Sequence, residues 1–507
     1  MQRNLIIAGV VAIAIIVLGV GAYLTLLSNG DDFALARLDR LVRDQNGEYQ
    51  NATYDVAEDR LVVEGLILRD FAAAPDAEPL DLIAVGHLDV IGLARFSLRD
   101  VLFSGRAQRI FERLAASDIA LTESGQTIRI ASVAMEDVSF VEGNLDREEN
   151  LTRSQVLGRA LLQLDAAEIH VSGFESPAEG PTGMQLSDLR ITGVHGGAVD
   201  TVTAQGLRLW DQGQIGTVGD TVRLQSAGIT LSGLDARVPL TRLAAGAGIE
   251  FDRQSDIPIY QSFSLNDLIV EHEGGQPLTV GSLQVENGAY EGPMPTQSTW
   301  SLSALRVPFD GTFVDPQEVA VLRDLGYEDL VFNFRYGFEF DLASQDFDLS
   351  DVSVGIEDVM DMEMQLHIRN VPFTEDMIDS TADALLSEGF ATAVLEQAAV
   401  QGGRLSITDR GVFERVVNLN AGRAGIPTEE YLQTSIEELE AKRIEVASSE
   451  PAVQTIDALI LFLQDPTSIT VTISPDEAVP LHQLIVVSQI NPMVLVELLN
   501  LEVSAGD

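Results

Sequence analysis

Residues 49–69 read Tyr49-Gln-Asn-Ala-Thr-Tyr-Asp-Val56, then Ala57-Glu-Asp-Arg60, then Leu61-Val-Val-Glu-Gly-Leu-Ile-Leu-Arg69. Apolar and polar residues alternate on both sides of a polar connection, a pattern typical of a β-hairpin. Further runs of strand character follow at Leu82–Ile91, Ser97–Phe103, Asp118–Leu121 and Thr127–Phe140. The sequence therefore predicts a mainly β chain whose successive strands pair antiparallel.

A short pattern, apolar-x-Asp-apolar-x-apolar, recurs along this region. Its copies are Leu98–Phe103, Met135–Phe140, Leu186–Ile191, Leu265–Val270 and Leu349–Val354. In a regular strand the first apolar residue and the last two would lie on opposite faces, so we predict a bulge or kink at each Asp. The irregular spacing favours repeated strands of one long sheet over a solenoid. Unrelated amphipathic strands that share a degenerate pattern are the alternative.

An uncharged stretch, Leu5–Leu27, precedes the β-rich region. As a helix it would extend roughly 34 Å, which exceeds the ~30 Å hydrocarbon core of a bilayer. Because Arg3 precedes it and Asp31 and Asp32 follow, the positive-inside rule places residues 1–4 in the cytoplasm and the rest outside. The residues expected to anchor the chain include Leu5, Ile7, Val11, Ile15, Leu18 and Leu27. A cleaved signal peptide is the alternative, although its apolar region would be only about 7–15 residues long.

The β-rich region, 33–373, also contains signals for short helices, and a helix-rich α+β region, 374–507, follows it. Helices are predicted at Phe33–Arg43, at Leu151–Leu164, and from the capping sequence Asp315-Pro316-Gln-Glu318 to Gly326. In the C-terminal region the predictions are helices at Glu375–Val400, Glu429–Val446, Ser449–Asp465 and Pro492–Leu499, with strands at Ser468–Ile473 and Pro480–Val487. The expected architecture is a membrane helix, an elongated curved antiparallel sheet that forms a groove or a sandwich, and a small α+β cap.

The composition excludes several classes of protein. Lys and Arg total 31 against 78 Asp and Glu, which gives a net charge of −47. This charge repels phosphate backbones, so we expect no nucleic-acid partner. The absence of cysteine excludes disulfides, thiolate metal sites and cysteine nucleophiles.

Five aromatic residues alternate along one predicted strand: Phe332, Phe334, Tyr336, Phe338 and Phe340. Alternation places all five rings on one face. They would either form part of a core or line an apolar binding surface.

We find no catalytic motif and expect no enzyme activity and no cofactor. The six histidines are scattered without the spacing of a metal site. Asp346, Asp348 and Glu357 imitate the oxygen positions of a calcium-binding loop, but Asp351 replaces its required glycine. The sequence favours a solvated strand edge over a metal site here.

The first 120 residues resemble the AsmA-like family of bacterial envelope proteins. The resemblance rests on the apolar segment, the helix Phe33–Arg43, the hairpin ending Leu61–Leu68, the segment Ala84–Arg95 and the sequence Asp118-Ile-Ala-Leu121. It implies a protein held by one helix in the bacterial inner membrane, with a periplasmic β-sheet groove that handles phospholipid or influences outer-membrane assembly. The helical C-terminal region departs from the family's pattern.

These observations favour a non-enzymatic periplasmic protein whose apolar sheet face binds or transfers lipid or assists an envelope-protein partner. One alternative is a protein-interaction scaffold with a fully packed β core. The other is an envelope hydrolase, which would need a base, a nucleophile and oxyanion donors within hydrogen-bond reach.

Overall fold

The computed structural model describes residues 33–71, 80–92, 108–123, 125–140, 153–176, 182–212, 221–246, 258–272, 274–291, 294–310, 313–372, 388–447, 449–490 and 492–506. The predicted anchor at Leu5–Leu27, the predicted strand Ser97–Phe103 and the predicted boundary near Thr374 lie outside these residues. Within the described ranges, none of the helices combines the length and the hydropathy that crossing a membrane requires.

The chain divides into two compact units. The first takes in Met1–Phe251 and Asp256–Gln261, and the second takes in Asp252–Ser255 and Ser262–Asp507. Each unit is mainly β, with antiparallel strands and a smaller share of helix. The division between them falls inside the predicted region 33–373.

The described part of the first unit pairs its strands in sequence order, each antiparallel to the next. The strands are β1 (Asn51–Asp55), β2 (Arg60–Phe71), β3 (Leu80–Ile91), β4 (Gln108–Glu123), β5 (Gln126–Phe140), β6 (Leu164–Ser176), β7 (Thr182–His195), β8 (Ala198–Gln212) and β9 (Thr221–Asp235). The helices are α1 (Phe33–Asp44), α2 (Arg153–Gln163) and α3 (Arg237–Ala244). The predicted hairpin and the first two predicted helices are confirmed.

The core of the first unit comes mainly from one face of β2–β6, with Val194 of β7 at its edge. In β2, Leu61, Val63, Leu66 and Leu68 are all buried, although a regular strand would turn the second pair away from the first. Gly65 lies between the pairs with φ 62° and corrects the phase. Helix α1 adds Ala34, Leu38 and Leu41 to the same core.

Residues with positive φ form two rows across this sheet, in alternate strands. One row contains Gly65, Asp118, Gly173 and Gly206, and the other contains Gly92, Asp137, Gly193 and Gly233. The strand register aligns the members of each row. Each member faces a residue without positive φ in the next strand. At Gly173 a Cβ would lie 2.7 Å from the Cβ of Ala131, so the neighbouring strand also requires glycine there.

These kinks confirm part of the prediction made from the recurring Asp pattern. Asp137 and Asp267 have φ values of 50° and 49°, a conformation that Asp tolerates better than most residues. In the copy at Leu349–Val354, the register shifts between Leu349 and Ser353 against the preceding strand and between Leu349 and Val352 against the following one, which shows an additional residue there. In the copy at Leu186–Ile191 the prediction is wrong: Asp188 pairs in register with Ser172 and Gln205, and the positive φ lies in the neighbouring strands, at Gly173 and Gly206 opposite Ser187. The copy at Leu98–Phe103 lies outside the described residues.

The second unit contains most of the described helices. Its strands are β10 (Ser262–His272), β11 (Leu278–Asn287), β12 (Tyr290–Glu291), β13 (Met294–Pro295), β14 (Gln297–Pro308), β15 (Asp329–Asp341), β16 (Asp346–Ile356), β17 (Met360–Arg369), β18 (Ala399–Asp409), β19 (Ser468–Ile473), β20 (Val479–Pro480) and β21 (Leu501–Ala505). Its helices are α4 (Pro316–Asp324), α5 (Glu388–Gln397), α6 (Val412–Ala424), α7 (Thr428–Glu445), α8 (Glu450–Gln464), α9 (Leu481–Ile490) and α10 (Pro492–Leu498). The main sheet runs β10-β11-β14-β15-β16-β17-β18-β19-β21, and all its pairs are antiparallel.

Helix α4 begins where its sequence predicts. The Asp315 side chain accepts a hydrogen bond from the Gln317 N–H at 2.8 Å, and Pro316 occupies the first turn. Gly326, with φ 85°, follows the end of the helix.

Two C-terminal predictions are wrong in part. Pro480–Val487 is predicted as a strand, but only Val479 and Pro480 pair, with β18, and helix α9 begins at Leu481. Its β-branched residues favour a strand, yet a short apolar run does not distinguish strand from helix, and packing of α9 against α5 and α10 decides the outcome. The predicted helix ending at Val400 ends earlier, because Ala399 and Val400 pair with Arg369 and Ile368.

Candidate apolar binding face

A row of directly paired residues crosses the main sheet of the second unit from β10 to β21. Directly paired residues lie on the same face of a sheet. The row consists of Leu265, Leu283, Leu302, Phe334, Val354, Met362, Ile407, Ile469 and Ala505. Every member is apolar, and every member keeps part of its surface exposed. The row therefore defines an apolar face that is not closed into a core, and we call it the apolar face.

In strand β19 the apolar residue is more exposed than the polar residues on the opposite face of the sheet. Ser468 and Thr470 are buried, at 5% and 7% exposure, whereas Ile469 between them is only half-buried. The Thr470 hydroxyl is satisfied by Ser406 Oγ at 3.0 Å. A water-soluble sheet with one covered face would show the reverse distribution.

An aromatic ladder runs along the apolar face at β15. The rings of Phe334 and Tyr336 stack at 6.4 Å with an interplanar angle of 7°, and Tyr336 and Phe338 are 5.9 Å apart. Phe338 then stacks on Phe347 of β16 at 5.9 Å. Such contacts favour a rigid surface, because aromatic pairs add attraction beyond the area they bury. Phe332, the remaining residue named from sequence, is half-buried and pairs with Ile356.

Exposure increases along the ladder. Phe340 is 4% exposed and belongs to a small core with Val371 and Ala398. At the other end Phe334 is 38% exposed, and Trp300, which pairs with Tyr336, is 43% exposed. The ladder thus begins in a packed core and ends at an open surface.

Trp300 is held in place by a short chain of hydrogen bonds. Its Nε1–H donates to Ser298 Oγ at 2.9 Å, and that hydroxyl donates to Asn287 Oδ1 at 2.7 Å. Ser298 is buried. The indole is therefore oriented although much of its surface is exposed.

The electrostatic character of the ladder is neutral. Burial raises the pKa of Tyr336 above its ordinary value of 10.0, so its hydroxyl remains uncharged at physiological pH. A neutral, aromatic surface suits apolar ligands, because transferring their surface from water to such a site is favourable.

The sequence named four residues of the ladder in β15, together with Phe332, and missed the remainder of the apolar face. Trp300, Phe347 and Met362 join it only through strand register. Alternation in their own strands was visible in the sequence, but the pairing between strands was not.

The metal candidates do not come together. Asp346 and Asp348 lie at the start of β16, while Glu357 follows its end, about 30 Å away at ~3.3 Å per residue. Asp348 pairs with His367, and Asp346 lies 3.9 Å from Arg369. Among the residues described, no group of three or more His, Asp or Glu side chains is arranged as a metal site.

Four histidines form pairs with carboxylates across neighbouring strands. These pairs are His87–Glu64, His170–Asp188, His195–Asp165 and His367–Asp348. Each pair links two strands of one sheet, which accounts for the placement of most histidines in strand sequences.

Comparison with known proteins adds little. A family model described as an uncharacterized protein matches residues 353–506, less than half of the chain. No curated protein matches the chain. Among solved structures, Pseudomonas aeruginosa OccK8 (OprE) shares 10% identity over 69% of this chain and 82% of its own, with a TM-score of 0.16. A similarity at that level carries no argument about fold or function.

Proposed function

We propose that this chain is a non-enzymatic envelope protein whose second unit binds acyl chains on the apolar face. Residues Leu5–Leu27 would hold it in the inner membrane, with the two units in the periplasm. The observation that supports this proposal is the unbroken apolar row from Leu265 to Ala505, in which every side chain remains partly exposed. The resemblance of the first 120 residues to AsmA-like proteins accords with it.

The exposure of the face favours a ligand-binding role over a permanently packed core. Contiguous apolar patches of this kind are rare on soluble proteins unless something binds to them. The aromatic ladder gives the face rigid walls, and Met360, Met362 and Met364 of β17 add side chains that adapt to irregular ligands.

Charge favours single lipid molecules over adsorption to a bilayer surface. The net charge of −47 repels anionic headgroups. An extended acyl chain carries no charge and can lie along the face, so the apolar row can bind it without bringing the acidic surface against a membrane.

Trp300 provides a direct test. The chain contains two tryptophans, Trp210 and Trp300, so Trp210→Phe leaves Trp300 as the only indole. A phospholipid with brominated acyl chains should quench Trp300 in this variant, because bromine quenches on contact. The matched variant Trp300→Phe, which leaves Trp210 in β8, should show much less quenching.

A second experiment localises the site. Native mass spectrometry of the detergent-extracted protein should detect bound phospholipid, and Phe334→Asn should reduce its occupancy several-fold. Ile444→Asn is the control, because Ile444 is 77% exposed on α7. Equal occupancy in both folded variants, or no quenching of Trp300, would contradict the proposal and favour a protein-interaction scaffold.

The anchor needs its own measurement. A reporter that is active only in the periplasm, fused to the C-terminus, should show activity in membrane fractions. Activity restricted to a cytoplasmic reporter would contradict the proposed topology.

A further inference from the structure

A cavity of about 430 Å³ opens over β16, β17 and β18. Asp348 pairs directly with His367, and His367 pairs with Gly402, so these positions share one face of the sheet. Leu349, Leu366 and Gly403 also line the cavity, although they pair in the next row, which belongs to the apolar face. The volume falls in the range of small-molecule sites, roughly 300–1,000 Å³.

The floor of the cavity is open because Gly402 has no side chain. A Cβ at Gly402 would meet only the carbonyl oxygen of Ile473, at 3.3 Å, and its φ is not in the left-handed region. Neither backbone conformation nor severe crowding requires glycine at this position. Its main effect is to leave room beside Arg404 and His367.

The polar groups around the cavity include one cation that no carboxylate of the described residues neutralises, Arg404. Ser350, Gln365 and Arg404 line it together with the His367–Asp348 pair. The Nδ1–H group of His367 donates to Asp348, so these two side chains satisfy each other. In the part of the chain that the structure describes, the Arg404 guanidinium has no hydrogen-bond or ion-pair partner.

Other strand arginines of this unit are neutralised by carboxylates. Arg306 lies 3.0 Å from Asp329, and Arg335 pairs with Asp351. Arg404 instead pairs across the strands with Gln365 and Thr472, which are both uncharged. Its positive charge is therefore available to a ligand in a chain whose carboxylates far outnumber its cations.

We propose that this cavity binds a small molecule bearing a phosphate or carboxylate group, held by the guanidinium of Arg404. The planar fork of arginine matches both oxyanions and binds them through two parallel hydrogen bonds. The amide N–H groups of Gln365 and the hydroxyl of Ser350 provide further hydrogen-bond donors to the ligand. Arg404 lies three residues from Ile407 of the apolar row, on the other face of β18, so its ligand can be tested independently of acyl-chain binding.

Calorimetric titration of the full chain tests the site with three probes: inorganic phosphate, glycerol phosphate and citrate. Arg404→Gln should weaken binding about tenfold or more, because it removes a charge-assisted hydrogen bond. Arg208→Gln is the matched control, since Arg208 is an exposed strand arginine of β8. Gly402→Ala should weaken binding several-fold by reducing the cavity.

The outcomes separate clearly. Tighter binding of glycerol phosphate than of inorganic phosphate would support the site and point to a lipid headgroup as the source of the anion. Equal binding would support the site and point to free phosphate. The proposal is overturned if none of the probes binds at millimolar concentration, or if folded Arg404→Gln binds as tightly as Arg208→Gln. Because lipid occupancy at Trp300 is measured independently, failure here leaves the proposed function standing.

Discussion

The guanidinium of Arg415 lies 4.5 Å from the centre of the Tyr327 ring, and its Nη1 donates hydrogen bonds to the carbonyl oxygens of Leu325 and Gly326. One side chain of α6 thus satisfies the end of α4 and covers the aromatic ring that follows it. Tyr327 is buried, and its hydroxyl donates to the Asp358 carbonyl at 3.1 Å. Burial raises the pKa of Tyr327, although Arg415 opposes this shift.

We expect Arg415→Ala to destabilise the second unit by about 1–2 kcal/mol, because it removes the donor of the partly buried Leu325 carbonyl and a cation–π contact. Arg415→Lys should recover only part of this loss, since an ammonium lacks the planar fork. Urea unfolding followed by Trp300 fluorescence in the Trp210→Phe background measures the effect. Arg423→Ala on the same helix breaks an exposed ion pair of 3.6 Å to Asp324 and should cost under about 1 kcal/mol. An equal cost for both variants would contradict the assigned role of Arg415.

The kink at Asp267 predicts an unusual order of substitutions. Asp267→Val should destabilise the protein by about 1–2 kcal/mol, because a β-branched residue resists positive φ. Asp267→Gly should be close to neutral. Glycine adopts positive φ without steric cost, and this gain offsets the larger backbone entropy that glycine gives the unfolded chain. Ser301→Val in β14, where φ is negative, is the control and should be tolerated. If Asp267→Val were as stable as Ser301→Val in urea unfolding, the left-handed kink would be wrong.

Helix α1 belongs to the core of the first unit, so a truncated side chain in this helix should strongly reduce the free energy of unfolding. Leu38 of α1 is fully buried, so Leu38→Ala should cost about 2–5 kcal/mol through lost burial and the cavity it leaves. Unfolding followed by Trp210 fluorescence in the Trp300→Phe background reports on this unit. Val56→Ala, at a position that is 64% exposed, should change stability by less than about 0.5 kcal/mol. A small effect of Leu38→Ala would show that α1 is not part of the core.

Asp235 predicts a dependence of stability on pH. The Arg237 side chain lowers the pKa of Asp235 below its ordinary value of 3.8, against the opposing effect of partial burial. The pKa of Asp235 is lower in the folded state than in the unfolded state. The stability that the Asp235–Arg237 pair contributes is therefore fully present above the unfolded-state pKa and is lost as the pH falls through the folded-state pKa. Unfolding free energies measured between pH 7 and pH 2 should therefore decline less steeply in Arg237→Gln than in the wild type below about pH 4. Parallel curves would show that this pair contributes no pH dependence.

Local signals in the sequence predicted a large part of the secondary structure. The hairpin around Ala57–Arg60, the helix after Asp315 and the kinks at Asp137 and Asp267 all depend on a few consecutive residues. Helix α9 was missed, because its apolar run fits either helix or strand and contacts with α5 and α10 select the helix.

The candidate sites show the same limit. Alternation in β15 identified the aromatic residues from Phe332 to Phe340, but their continuation to Trp300 and Met362 depends on register. The spacing of Asp346, Asp348 and Glu357 suggested a metal site. In the structure Asp348 pairs with His367 across the sheet, and Glu357 lies beyond the far end of the strand. Arg404 carried no signal in the sequence.

The sequence by itself determined which segments alternate as strands, where several of them kink, and that an uncharged stretch precedes them, because these properties depend on neighbours along the chain. Only the tertiary structure decided which strand faces meet, that nine apolar residues form one row, and that Arg404 and His367 share a cavity. The physical reason is that pairing between strands is set by contacts between residues far apart in sequence, and a shift of one residue exchanges the two faces of a strand.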